Sequence, residues 1–260
     1  MLGTRKRVSS DGTTTITKQP SAQLSPAENG GNNTELETGL ESIEDLDRII
    51  LSQEITACGL VCPCCIGRGA YTVHNGNETE EFLFEIREAF VCLYRSCLGS
   101  GRDLTTRMQD ASDNDVGRFL REVAIRGCCI CSCDTPELIV KHPPRSLLGV
   151  VRERRTCCKP SFEIVDSTGE ILFTFLNDCC YFQYCGWCKD ATVYIKDRDD
   201  ETVAKLVKKS FHNSKELIGL ENKIHIEFLK KIKAQEKLLV IGAAMLLSLN
   251  NFEDSKRYCC

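Results

Sequence analysis

The chain has 260 residues, 42% of them hydrophobic, and a formal charge of −4. That is material for one large domain or two small ones, and the slight acidity excludes a global attraction to nucleic acid, so any basic patch must be local. Cysteine is the unusual component, at 18 residues.

In a short secreted chain so many cysteines would suggest a disulfide framework. Three features argue for a reducing, cytosolic compartment instead. Met1 to Gly12 contains no apolar stretch, so no secretory leader is expected. The chain is long enough to build a core without covalent staples. Many of the cysteines are adjacent, and neighbouring cysteines rarely reach good bridge geometry with each other. The clusters then read as sites of lipid attachment or metal binding, against the simpler reading of buried apolar thiols.

Residues 1–44 are rich in Ser, Thr, Gly and Asn, with Pro20 and Pro26 among them, and read as a disordered tail. Arg5, Lys6 and Arg7 are basic enough to touch anionic lipid, although three such charges are ordinarily just solvated. From Leu46 the pattern turns apolar and short segments dominate. Tyr71-Thr-Val-His is followed by an Asn75-Gly76 turn, and Phe82-Leu-Phe-Glu-Ile is the next run. Phe162-Glu-Ile-Val leads through Asp166-Ser-Thr-Gly169 to Ile171-Leu-Phe-Thr-Phe. Short apolar runs separated by such turns predict antiparallel strands. Ala191 to Lys196 continues the series, with Thr192, Tyr194 and Lys196 on one face and Val193 and Ile195 on the other.

The chain repeats itself. Arg102 to Arg121 aligns without gaps on Lys189 to Lys208, matching Asp103 with Asp190, Thr105 with Thr192, Asp110 with Asp197, Asp113 with Asp200 and Val116 with Val203. Upstream, Glu81-Phe-Leu-Phe matches Glu170-Ile-Leu-Phe. Two copies of one strand-rich unit predict a pseudo-symmetric β architecture, and closure into a barrel would remove its edges. Leu238 to Leu249 is the most apolar stretch and reads as a helix of roughly 18 Å at about 1.5 Å per residue. A bilayer core needs about 30 Å, so the segment is expected as a buried core helix rather than a membrane span.

This order of landmarks resembles the phospholipid scramblases, from about Asp45 to Glu253. His142-Pro-Pro-Arg-Ser-Leu-Leu-Gly149 is similar to the family's alanine-proline-proline-glycine stretch. Cys158-Lys-Pro-Ser-Phe-Glu-Ile resembles the opening of its second half, and Cys128-Cys-Ile-Cys-Ser-Cys133 its acylated cysteine run. Val240-Ile-Gly-Ala-Ala and Phe252-Glu253 resemble the start and end of its terminal helix. The resemblance implies a tubby-like fold. The expected structure is mainly β: a closed antiparallel barrel of about 12 strands with a pseudo-twofold repeat around a buried apolar C-terminal helix. The expected domain covers 45–253, followed by a tail at 254–260.

The resemblance also implies function: passive, ATP-independent movement of phospholipids between leaflets. No phosphate-cradling Gly-Lys-Ser/Thr loop and no hydrolase constellation stands in the chain, so an enzyme is not expected. Cys128, Cys129, Cys131 and Cys133 are candidate acylation sites, with covalent palmitate as the modification. Cys259 and Cys260 resemble a dually lipidated tail. One acyl chain gives marginal, reversible membrane binding, whereas two or more anchor stably. Cys62-Pro-Cys-Cys65 and Cys185-Gly-Trp-Cys188 leave a zinc site open, although the two pairs are far apart in sequence. The family carries an acidic calcium-binding segment before its terminal helix. Here the matching stretch, Leu220 to Lys233, offers only Glu221, Asn222 and Glu227 as side-chain oxygen donors. Calcium takes about six to eight oxygens, so weak or absent binding is expected there. Lys230, Lys231, Lys233 and Lys237 are candidates for contact with an anionic membrane surface. The expected location is the cytosolic face of a membrane, the plasma membrane first. Phospholipids are the expected partners and nucleic acid is not; transport would need a homo-oligomer or local bilayer deformation. The alternative is an acyl-anchored interaction or signalling protein on the same scaffold, without transport.

Overall fold

A computed structural model of the chain describes residues 39–54, 70–89, 103–122, 137–143, 146–154, 161–176, 190–209 and 221–251. They form a short helix α1 (Glu41–Glu44), then strands β1 (Arg48–Glu54), β2 (Ala70–Asn75), β3 (Phe82–Glu88), β4 (Leu104–Asp110), β5 (Asp115–Arg121) and β6 (Glu137–His142). The second half contributes β7 (Ser146–Arg154), β8 (Ser161–Asp166), β9 (Ile171–Leu176), β10 (Ala191–Lys196), β11 (Thr202–Lys208) and β12 (Glu221–Phe228), and the chain continues into helix α2 (Ala234–Asn251). Each strand pairs antiparallel with its neighbours in sequence. The pairing of β12 with β1, with Ile226 opposite Ile49, closes the barrel. The expected closed, mainly β architecture with a C-terminal helix is the one observed.

Alternation along each strand decides what fills the barrel. In β4, Leu104, Thr106 and Met108 are buried while Thr105 and Arg107 are exposed. In β10, Ala191, Val193 and Ile195 are buried while Thr192 and Tyr194 are exposed. A strand turns successive side chains to opposite faces, so each contributes a row of apolar groups inward. Phe162 and Phe175, cross-strand partners on β8 and β9, stack at 4.8 Å between centroids.

The sequence repeat reappears as geometry. The β4–β5 and β10–β11 hairpins break register at matching points, between Met108 and Gln109 and between Ile195 and Lys196. In the first turn Asp110 Oδ1 accepts the backbone N–H groups of Ser112 and Asn114 at 2.8 and 2.9 Å, and in the second Asp197 Oδ1 accepts those of Asp199 and Glu201 at 3.0 and 2.9 Å. Asp113 and Asp200 then take left-handed backbone conformations, with φ of 60° and 62°. Aspartate is among the few residues that adopt this region readily, because its short side chain bonds locally.

Helix α2 fills the barrel. Its 18 residues span about 27 Å, and every residue from 237 to 249 is buried. Gly242 permits the close approach: a Cβ there would meet Val140 Cγ2 at 3.1 Å and Phe119 Cε1 at 3.4 Å. The helix starts four residues before the expected Leu238, because Glu236 accepts the backbone N–H of Lys233 at 2.8 Å and so caps the first turn with polar residues. Among the described residues no helix is long and apolar enough to cross a membrane.

Residues 39–44, read from the sequence as the end of the tail, pack on the barrel, with Leu40 and Ile43 fully buried. Lys237 holds this segment. Its Nζ donates to the carbonyls of Ile43, Glu44 and Leu46 at 3.1, 2.7 and 2.7 Å and lies 4.9 Å from the centre of the Phe228 ring.

Candidate functional site

In a barrel of consecutive antiparallel strands, alternate connections emerge at the same end. The turns β2–β3, β4–β5, β8–β9 and β10–β11 lie at one end, together with α1 and the N-terminus of α2. The connections β1–β2, β3–β4, β5–β6, β7–β8, β9–β10 and β11–β12 belong to the other. Helix α2 terminates at that second end, where Asn222 Nδ2, near the start of β12, donates to Ser248 Oγ at 3.1 Å. Every one of the 18 cysteines falls either in one of those connections or after α2. Cys128, Cys129, Cys131 and Cys133 belong to the β5–β6 connection, and Cys259 and Cys260 follow α2. Both sets lie outside the described residues, as do the Cys62–Cys65 and Cys185–Cys188 pairs. The strand ends that anchor the connections are described.

The connecting segments also differ in charge. The six cysteine-end connections (55–69, 90–102, 123–136, 155–160, 177–189 and 210–220) carry Arg68, Arg95, Arg102, Arg126, Arg155, Lys159, Lys189 and Lys215 against Asp134, Asp178 and Glu216. At the turn end the balance reverses. The β2–β3 turn has Glu78, Glu80 and Glu81, and the β10–β11 turn has Asp197, Asp199, Asp200 and Glu201 against Arg198. The segment around α1 has Glu41, Glu44, Asp45 and Asp47.

The expected calcium segment is not a loop. Residues 221–228 are strand β12, paired on both sides. Asn222 faces the interior, where its Oδ1 accepts from Lys208 Nζ at 2.7 Å. Glu227 faces outward, with Lys205 at 2.6 Å and Arg48 at 3.6 Å, and the Lys205 hydrogen bond lowers its pKa, against the opposing effect of burial. Glu221 lies six residues along the same strand from Glu227, about 20 Å at 3.3 Å per residue. The three oxygen donors named from the sequence therefore do not converge. Among the described residues no group of three or more His, Cys, Asp or Glu is placed to hold a metal ion.

The four candidate surface lysines also separate. Lys237 is buried and serves the α1 segment, so it is not a surface group. Lys230 sits between Asp197, at 2.7 Å, and Glu201, bracing the chain after β12 to the β10–β11 turn. That hydrogen bond, first among several, holds the Asp197 carboxyl below its ordinary pKa. Lys231 makes an exposed pair with Asp45 at 3.2 Å, and Lys233 is exposed at the start of α2. All four lie toward the acidic turn end, opposite the barrel end from which the cysteine-bearing connections leave. A different basic group was missed by sequence reasoning: Arg152 and Arg154 on the outer face of β7 share Glu163 of β8 at 3.0 and 3.1 Å. The alternation Arg-Glu-Arg at 152–154 was the available signal.

Comparison with known proteins places the chain in a family. The family model described as Scramblase matches residues 28–254. The chain is 24% identical over 221 residues to phospholipid scramblase family member 5 of Homo sapiens, covering 85% of this chain and 79% of that protein. It is 21% identical over 217 residues to phospholipid scramblase 4 of Mus musculus, covering 83% of this chain and 64% of that protein.

Proposed function

The chain belongs to the scramblase family, and from that premise we propose that it works on a phospholipid bilayer from the cytosolic side, anchored by acylated cysteines, and promotes passive movement of phospholipid between leaflets. The observation that carries this reading is the gathering of all 18 cysteines on connections and a tail that leave one end of the barrel. Connections that leave one end would let several acyl chains enter a bilayer together, and two or more chains anchor where one does not. The excess of Lys and Arg in the sequence of those connections suits an anionic leaflet, and the acidic turns would be repelled by it.

The polarity of the barrel supports a peripheral position. Its described interior is largely apolar, while Arg87, Arg107, Arg152, Arg154, Lys205 and Glu227 stand on the outside. A transmembrane barrel has the opposite arrangement, with an apolar outer band and a polar lumen.

The filled interior favours a second reading, an anchored interaction protein without transport, because α2 leaves no room for a headgroup path through the barrel. One experiment separates the two. The full chain, recovered with its acyl groups, is reconstituted in vesicles and phospholipid flip is followed with and without calcium. Flip above the empty-vesicle rate is the expected result. Binding without flip would replace transport with the anchoring role, and membrane residence that survives both hydroxylamine and serine at Cys128, Cys129, Cys131 and Cys133 would refute the anchor.

A further inference from the structure

Among the described residues four large hydrophobic side chains are exposed, Phe82, Leu176, Tyr194 and Leu229, and two of them are neighbours on the barrel wall. Leu176 on β9 is 63% exposed and Tyr194 on β10 is 54% exposed. Phe175 pairs with Ile195, and continuing that register by one residue sets Leu176 beside Tyr194 on the outer face. The internal repeat shows what this position holds in the other half of the barrel. Leu176 corresponds to Arg87 and Tyr194 to Arg107, and those two arginines are cross-strand partners on β3 and β4. The two halves share backbone and turns, yet a doubly basic pair in one is an exposed aliphatic–aromatic pair in the other. The barrel fold therefore does not require apolar groups at this position.

The surroundings indicate what covers the pair. On the β8 side, Leu176 is opposite Ser161, and Ser161 is opposite Arg154. Arg154 and Arg152 share the single carboxylate of Glu163. On the other side Tyr194 is opposite Lys205, and Lys205 and Arg48 share the single carboxylate of Glu227. Each flank thus retains one net positive charge. Leu176 also closes β9 at the barrel end to which the cysteine-bearing connections belong. An apolar pair containing an amphipathic tyrosine, with surplus cations on both sides, is complementary to the interface of an anionic bilayer, where aromatic rings sit at headgroup depth and cations meet lipid phosphates.

We propose that the Leu176–Tyr194 pair is a lipid-contact surface that tilts the barrel so that its β9–β10 wall, and not only its cysteine end, rests on an anionic membrane. This inference rests on the anchored reading above and adds an orientation to it. It also assigns the asymmetry of the repeat a role: only one wall of a pseudo-twofold barrel faces lipid.

The test uses the full chain with its acyl groups and vesicles of phosphatidylcholine and phosphatidylserine. The chain has a single tryptophan, so Tyr194→Trp in a Trp187→Phe background reports on this surface alone. The expected result is a blue-shifted emission that is quenched by brominated acyl chains in the vesicles. In parallel, Leu176→Gln/Tyr194→Gln, with an unchanged thermal transition, is expected to reduce vesicle partitioning about tenfold, the loss of on the order of 50 Å² of apolar contact. Indole emission from the vesicle-bound Tyr194→Trp variant that brominated lipid leaves unquenched would overturn this surface and leave the anchor standing. Failure of the acylated protein to bind vesicles at all would remove both. A blue shift that needs no vesicles and rises with protein concentration would identify a second copy of the chain as the occupant and refute the lipid assignment.

Discussion

Replacing Lys237 by methionine tests whether one buried ammonium holds the N-terminal segment on the barrel. Methionine keeps the length of the side chain and its packing on Phe228 but removes three hydrogen bonds to the carbonyls of Ile43, Glu44 and Leu46. Hydrogen bonds to a charged group contribute about 1.5–3 kcal/mol each, a gross loss of roughly 5–9 kcal/mol. Two offsets apply. The variant no longer buries an ammonium, whose effective cost is several kcal/mol; the same burial pushes the Lys237 amine below its ordinary pKa. Water can also reach the carbonyls of Glu44 and Leu46, whose bonds are only partly buried. The net destabilisation is then about 3 kcal/mol. With a urea dependence near 3 kcal/mol per molar, the midpoint falls by about 1 M. The assay is urea unfolding of the full chain in reducing buffer followed by far-UV circular dichroism, with hydrogen exchange across residues 39–47. A midpoint within about 0.2 M of the parent, with exchange unchanged in that segment, would refute the role assigned to this lysine.

Gly149→Ala is expected to destabilise strongly, by about 3 kcal/mol or more, because the new Cβ would lie 2.1 Å from the Val165 carbonyl oxygen; Gly169→Ala, with open space but φ of +91°, should cost only about 1–2 kcal/mol, and thermal melts rank the two. Lys230 lowers the folded-state pKa of Asp197, so this carboxylate stabilises the fold at any pH above its unfolded value of about 3.9 and the contribution disappears as pH falls through the lowered folded value. Asp197→Asn should therefore be less stable than the parent at neutral pH and lose less of its stability on acidification, measured as melting temperature against pH. Calcium titration of the purified protein should give the same curve before and after Glu227→Gln, since this side chain already pairs with two cations; a weakened curve would place a calcium ligand on β12.

Much of the fold was legible because its signals are local. Asn75-Gly76 and Asp166 to Gly169 mark turns through their backbone preferences, and the Asp110/Asp197 and Asp113/Asp200 matches repeat because each hairpin needs the same side-chain acceptor and the same left-handed residue. The terminal helix was legible from its apolarity but not in its length, since Gln235, Glu236 and Lys237 read as polar flank while serving as first turn, cap and buried donor. The candidate site was harder. The segment matched to a calcium loop already displayed a strand's period, with Ile224, Ile226 and Phe228 alternating with Lys223, His225 and Glu227. The composition of the lysines was visible, but their partners come from remote parts of the chain: Asp197 for Lys230 and the α1 carbonyls for Lys237. Clustering of the cysteines was obvious along the sequence. That their connections leave a common end of the barrel was not, because it depends on the direction of every strand between them.

The filled barrel also constrains how a protein of this kind can act on lipid. A headgroup path needs polar groups lining a continuous surface, and this interior is dominated by Ile, Leu, Val and Phe packed against a buried helix, with polar side chains such as Thr106, Arg121 and Ser248 buried among them. Opening it would expose the same core that holds the fold, so a route through the barrel would have to unfold the protein to operate. Any headgroup that crosses under its influence therefore travels outside the barrel, where the protein can change only the bilayer itself. On the proposed reading, acyl chains on connections that leave one barrel end, with a tyrosine and a leucine at the edge of the wall, would concentrate that perturbation on a small area of one leaflet. Several copies side by side would widen it. The filled interior would then serve as the rigid body from which the cysteine-bearing connections leave.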